Sequence, residues 1–215
     1  SEGVRRAVRE DGREPSLLHA LKGADRIGDR SEGMATAKAA DWESMVHEVR
    51  LEWISPMDYP QFLEWKFSAE RAAFLESVEC GIYLWRVKRL LGLVRQNLYV
   101  GQTWQGFGPR TRQHLKGDLG VKLKRLGEEG RDPYLFCASV EAQNMPQGRG
   151  LIARMEAVMN SVERALIWVL RPEWNAAHST TTNLPLHVKI QSVGEVPSDM
   201  SRVIEVTAGK HHRSA

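Results

Sequence analysis

Between Cys80 and Leu115 the chain carries two apolar runs, each with a glycine and a tyrosine inside one tripeptide: Gly81-Ile82-Tyr83 and Tyr99-Val100-Gly101. Their content of Ile, Val, Leu, Trp and Tyr suits strands, and the Gly92-containing stretch Leu90–Gln96 between them suits a turn. We read two strands, about 80–89 and 97–101, that hold both phenols on one small sheet. Residues 102–108 form a loop rich in Gly, Gln and aromatics, and Pro109 then suits the first turn of a helix, where a missing N–H is harmless. In that helix Arg110 and His114 lie four residues apart and so share a face. The spacing predicts a guanidinium and an imidazole beside two tyrosines. Gly117 and Gly120 are expected to end the helix.

The rest of the chain is read around this stretch. Residues 1–40 alternate acids and bases between scattered glycines, with Leu17, Leu18 and Leu21 as the one apolar cluster, and are expected to be a disordered tail. Residues 41–79 form an extension that packs on the core. Val49, Leu51 and Trp53 alternate with charges as a half-buried strand, and Gln61–Ser77 has the spacing of an amphipathic helix. The central domain spans 80–177. Its third strand is 134–141, and its clearest helix is 151–170, where Leu151, Met155, Val158, Val162, Ala165 and Val169 step by three and four. Arg171-Pro172 ends that helix. Residues 178–215 are a partly irregular extension with short edge strands at Val188–Val193 and Val203–Val206 and a frayed end from Gly209.

Charge narrows the partners. Fifteen basic and eight acidic residues lie between Cys80 and Asn175, while the whole chain is only +3, so the centre is basic and the flanks are acidic. A basic centre favours an anionic partner such as nucleic acid. No apolar run reaches membrane-spanning length, so no membrane partner is expected. The two cysteines, Cys80 and Cys137, lack metal-ligand spacing and lie in apolar runs. They suit buried thiols in a reducing cytoplasm.

The ordered set of residues resembles the GIY-YIG nuclease superfamily. Either tripeptide alone is a weak signal, and the specificity comes from residues downstream of the pair. Arg110 stands eleven residues after Tyr99, and His114 lies one helical turn later. Glu163-Arg164-Ala165-Leu166-Ile167 then leads to Pro172 and Asn175. The resemblance covers about 80–175. One departure is the gap between Tyr83 and Tyr99, longer than is usual in the family, which a longer hairpin turn absorbs.

The resemblance implies an α/β (α+β) fold with a small central antiparallel sheet of about three strands flanked by helices. It also implies a metal-dependent endonuclease that hydrolyses DNA, double-stranded in the first instance, using Mg²⁺ or Mn²⁺. Tyr83 would be the general base, assisted by the cations Arg110 and His114. Tyr99 would orient the water or the phosphate, and Arg110 would grip phosphate oxygens with its planar fork. Glu163 would be the lone protein ligand of the metal, with Glu156 two turns earlier as the alternate. Asn175 would fix the phosphate or a catalytic side chain. Lys116, Lys122, Lys124 and Arg125 would track the nucleic-acid backbone. Trp104 and Phe107 are read as loop aromatics that cap the core in preference to stacking on bases. The competing reading is a nucleic-acid-binding module of the same fold that does not cut.

Overall fold

The computed structural model describes residues 42–64, 67–88, 95–145, 150–175 and 181–212. The expectation of a disordered tail at 1–40 lies outside them. Strand β1 (Val46–Trp53) leads through the short β2 (Met57–Asp58) into α1 (Tyr59–Glu64) and α2 (Ala69–Ser77). Then come β3 (Gly81–Lys88), β4 (Arg95–Thr103), α3 (Phe107–Leu115), α4 (Asp118–Glu128), β5 (Pro133–Ala142) and α5 (Leu151–Leu170). Four strands close the chain: β6 (Thr181–Leu184), β7 (His187–Gly194), β8 (Val203–Val206) and β9 (Gly209–His212).

The fold is α+β, but its sheet is not the small three-stranded one expected. Seven strands join in one mixed sheet of order β4-β3-β5-β1-β7-β8, with β2 also paired to β5. The three central strands are antiparallel as expected, with β3 between β4 and β5. Strands from both flanks then extend the sheet: β1 runs antiparallel to β5, and β7 runs parallel to β1 over eight residue pairs. The reason is burial. One face of β1 carries Val49, Leu51 and Trp53, and the matching face of β7 carries Val188 and Ile190. All five are buried in a single core with Ile82, Phe136 and Ala138 of the central strands.

The helices cover the two faces unequally. The long α5 lies on the first face, burying Val158, Val162, Ala165 and Leu166 against this shared core. On the other face, α1 to α4 bring Phe62, Leu75, Phe107, Leu123 and Leu126 onto Trp85, Val87, Leu135 and Cys137. At about 25 cal/mol per Å² of apolar surface removed from water, such burial is the main stabilising contribution.

Several local expectations are corrected. The stretch Gln61–Ser77 is not one helix; Ser68 caps a new one at Ala69, its Oγ accepting from the Arg71 N–H at 3.3 Å. Gly120 does not end α3 but sits inside α4, where an added Cβ would lie 2.0 Å from the Leu115 carbonyl oxygen. It lets the two helices meet backbone to backbone. Strand β7 is internal instead of an edge strand, whereas β8 does occupy the edge. Gly209–His212, expected to fray, pairs with β6. No helix among the described residues is long and apolar enough to cross a membrane.

Candidate active site

The two signature glycines have steric reasons to be glycine. Tyr83 and Gly101 are cross-strand partners, and a Cβ on Gly101 would lie 2.3 Å from the Tyr83 hydroxyl. The missing side chain is the space in which the phenol lies across β4. A Cβ on Gly81 would lie 2.1 Å from the Phe107 ring, so that glycine admits the residue that anchors α3. Phe107 is fully buried and stacks on Phe74 at 5.7 Å, so it belongs to the core, as expected.

The hairpin turn expected to absorb the long gap between the tyrosines falls on 89–94, outside the described residues, but the paired strands keep both tyrosines on one face. The ladder shifts register between Trp85 and Arg86: Trp85 faces Tyr99, Arg86 faces Asn97, and Leu98 is the extra residue. This is a β-bulge, which permits one added residue and then restores the alternation. Tyr83 and Tyr99 remain on one face, their rings 6.1 Å apart and nearly parallel.

Helix α3 is set over these rings by a tight connection. Thr103 is buried at the end of β4; its hydroxyl donates to the Gly106 carbonyl at 2.8 Å and accepts from the Gln105 N–H at 3.2 Å. Gly106 adopts a φ of 81°, a conformation that favours glycine. The chain therefore turns directly from strand to helix, with Pro109 in the first turn, and His114 arrives above both phenols. Its Nε2 is hydrogen-bonded to the Tyr83 hydroxyl at 3.0 Å, and its ring lies 5.7 Å from that of Tyr99. Arg110, one turn earlier, donates from Nη1 to Gln113 Oε1 at 2.7 Å; its Nε is buried with no partner among the described residues.

Glu163 reaches the same place from the opposite layer. It sits half-buried on α5, near enough to the Gln102 N–H of β4 for that group to lower its pKa. Burial raises its pKa, while Arg110, the Gln102 N–H and Arg164 oppose the rise. Its charge is felt by both Tyr83 and Tyr99. Tyr83, Tyr99, Arg110 and His114 thus cluster at one locus, to which the Glu163 charge is coupled. Glu156, the alternate acid, stands exposed two turns away.

The electrostatics correct one expectation. The resemblance makes His114 a cation that helps Tyr83 ionise, yet its pKa is lowered to about 4, first by burial and then by the Arg110 charge. It is neutral at pH 7. Tyr83 is only 3% exposed, and burial, then Tyr99, pushes its phenol far above the usual range, with Arg110 opposing. The ground state is a neutral phenol hydrogen-bonded to a neutral imidazole.

Asn175 is engaged elsewhere. Its Oδ1 accepts from the Val100 N–H at 2.7 Å and its Nδ2 donates to the Val100 carbonyl at 2.9 Å. Next to it, the Trp174 N–H donates to the Leu98 carbonyl at 2.8 Å and the Glu173 N–H to the Asn97 carbonyl at 3.1 Å. Residues 173–175 therefore line the open edge of β4 like a short added strand. Asn175 positions the strand bearing Tyr99, and both ends of its amide are engaged by Val100.

A cleft of about 380 Å³ opens beside the cluster, lined among others by Tyr99, Arg110, His114, Lys122 and Trp174. The Lys122 ammonium lies 5.4 Å from the Trp174 ring centre. Lys124 and Arg125 pair with Glu128 and Glu129 one turn along α4, and Lys116 is exposed at the end of α3. Of the four expected backbone contacts, Lys122 is the one that lines this cleft. A second cleft, of about 410 Å³, lies on the other side of Arg110 and Gln113 and includes Gln102 and Trp104. Sequence reasoning misses Gln102, Gln113 and Trp174; adjacency to Gly101 and Asn175 is the available signal for the first and last.

A divalent metal fits what is present. Among the described residues no group of three or more His, Cys, Asp or Glu side chains forms a metal cage. Glu163 instead offers one hard oxygen ligand, and its desolvated carboxylate gains from meeting a dication. Compared with protein-family models, curated proteins and solved structures, the chain has no match.

Proposed function

We propose that the chain is a metal-dependent endonuclease that hydrolyses DNA phosphodiester bonds, as the GIY-YIG resemblance implies. The observation that supports it is the 3.0 Å contact between the Tyr83 hydroxyl and His114 Nε2, with Arg110 and Glu163 brought alongside from two different helices. A buried phenol bonded to a neutral imidazole is a relay in wait: the imidazole takes the phenol proton as the phenol takes one from the attacking water. A phosphodiester anion beside Arg110 cancels part of the charge that holds His114 low, so substrate binding itself raises the basicity of the relay.

Arg110 receives the phosphate oxygens; its unpartnered Nε gains an acceptor, and Gln113 steadies the fork. Loss of such a donor typically costs about 2.7–4 kcal/mol in the barrier. Tyr99 closes the side of the site next to the attacking water. Glu163 would hold Mg²⁺ or Mn²⁺, which when bound stabilises the charge developing on the leaving oxygen. Lys122, braced by Trp174, neutralises a neighbouring phosphate, so binding weakens as salt is added.

The test is incubation with supercoiled plasmid, with Mg²⁺ or with chelator, beside Glu163→Ala. Nicked and linear products that need Mg²⁺ and vanish in the variant are expected. A retarded but intact plasmid identifies a binding module instead, and an unshifted, intact plasmid removes the nucleic-acid reading altogether.

A further inference from the structure

Gln102 meets α5 from β4 through both its peptide N–H and its side-chain amide. Its peptide N–H faces the Glu163 carboxylate closely enough to lower its pKa. Its side-chain Nε2 donates to Asn160 Oδ1 at 2.7 Å. Asn160 and Glu163 are three residues apart, so both present the same helix face to this strand. The Gln102 amide oxygen Oε1 is buried and has no hydrogen-bond partner among the described residues.

A buried carbonyl oxygen without a donor is unfavourable, and native structures tolerate few. Here the orphan oxygen belongs to the same residue whose N–H faces a half-buried carboxylate. The amide carbonyl without a donor and the carboxylate, whose charge Arg110 and Arg164 offset in part, therefore share a locality. Gln102 also lines the cleft that Arg110 borders, which gives an ion and its accompanying phosphate a route in. Hard divalent cations accept amide carbonyl oxygens as ordinary ligands.

We propose that Gln102 Oε1 is a second protein oxygen ligand for the divalent cation at Glu163, with Asn160 as the positioning residue that turns the amide oxygen toward it. The proposal rests on the reading that Glu163 holds the cation. The Asn160 contact engages the Nε2 end of the amide, so the oxygen end is left for the ion. Water and phosphate fill the remaining positions.

The test is Mn²⁺ titration of the full chain, reading free Mn²⁺ by electron paramagnetic resonance, for wild type, Gln102→Leu, Gln102→Glu and Glu163→Gln. Gln102→Leu should weaken Mn²⁺ binding by about tenfold or more, the scale of losing a coordinating or orienting group. Gln102→Glu, which replaces the amide oxygen with a carboxylate, should bind at least about threefold tighter than wild type. If Gln102→Leu binds within about twofold of wild type while Glu163→Gln loses binding, Gln102 is not a ligand and the Glu163 reading stands. If Glu163→Gln binds as wild type does, that reading and this proposal fall together. Should Gln102→Leu not fold, Gln102→Glu decides alone: unchanged or weaker binding overturns the proposal.

Discussion

A phenol that is 3% exposed does not ionise unaided, and Tyr83 is such a phenol. What makes it usable is the neighbour it meets, and that meeting depends on Gly101, whose missing side chain leaves room for the ring. His114 is held neutral by burial and by Arg110, its pKa brought from 6.5 to about 4. Between about pH 4 and 6.5 the unfolded chain binds a proton that the folded chain refuses, so stability falls as pH is lowered through this window. His47, also lowered by burial, adds to the slope, while Glu163, raised by burial, opposes it at the lower end. Urea unfolding at several pH values should show the slope, and His114→Gln should flatten it. A variant with the wild-type slope would mean that His114 is not held neutral in the fold.

Strand β4 carries Tyr99 and Gly101 yet lies at the sheet edge, where it would otherwise fray. The Asn175 amide supplies an acceptor and a donor to Val100 as a neighbouring strand would, and Asn175→Ala removes both bonds. At about 0.5–1.5 kcal/mol net for each bond, the loss should be about 1–3 kcal/mol, seen as a lower urea midpoint at an unchanged slope. An unchanged midpoint would show that the clamp is dispensable. The elements themselves were largely legible. The helix Leu151–Leu170 has the bounds its three-and-four stepping predicts, and the strands of the hairpin and of 134–141 fall where β-formers cluster. The role of Asn175 was not legible, because its partner lies on a strand 75 positions back and nothing local distinguishes a clamp from a phosphate contact.

The assembled sheet is what the sequence concealed. Strand β7 shows one-sided alternation, with Val188, Ile190 and Ser192 buried between partly exposed neighbours, which reads as an edge. It is internal all the same, since the sheet leaves one face of β1 and β7 open, and alternation reports which face is covered, not how many neighbours a strand has. The parallel pairing of Val46–Trp53 with His187–Gly194 joins segments at opposite ends of the described chain, and periodicity carries no trace of such a pairing. The central stretch therefore does not stand alone. A fragment of residues 80–177 would lack Val49, Leu51, Trp53, Val188 and Ile190 from its core and leave one side of β5 unpaired. It should aggregate or melt without cooperativity by circular dichroism, and a monomer that unfolds cooperatively would show that the flanks are additions to a self-sufficient core.

Single-turnover cleavage by Tyr83→Phe, Glu163→Gln and the double variant asks whether the phenol and the carboxylate serve one phosphate. Groups that act as a unit are strongly non-additive, so each single change should lower the rate by about 100-fold or more and the double variant should be little slower than the worse single. Full activity in either single variant, or losses that simply multiply in the double, would contradict a shared centre.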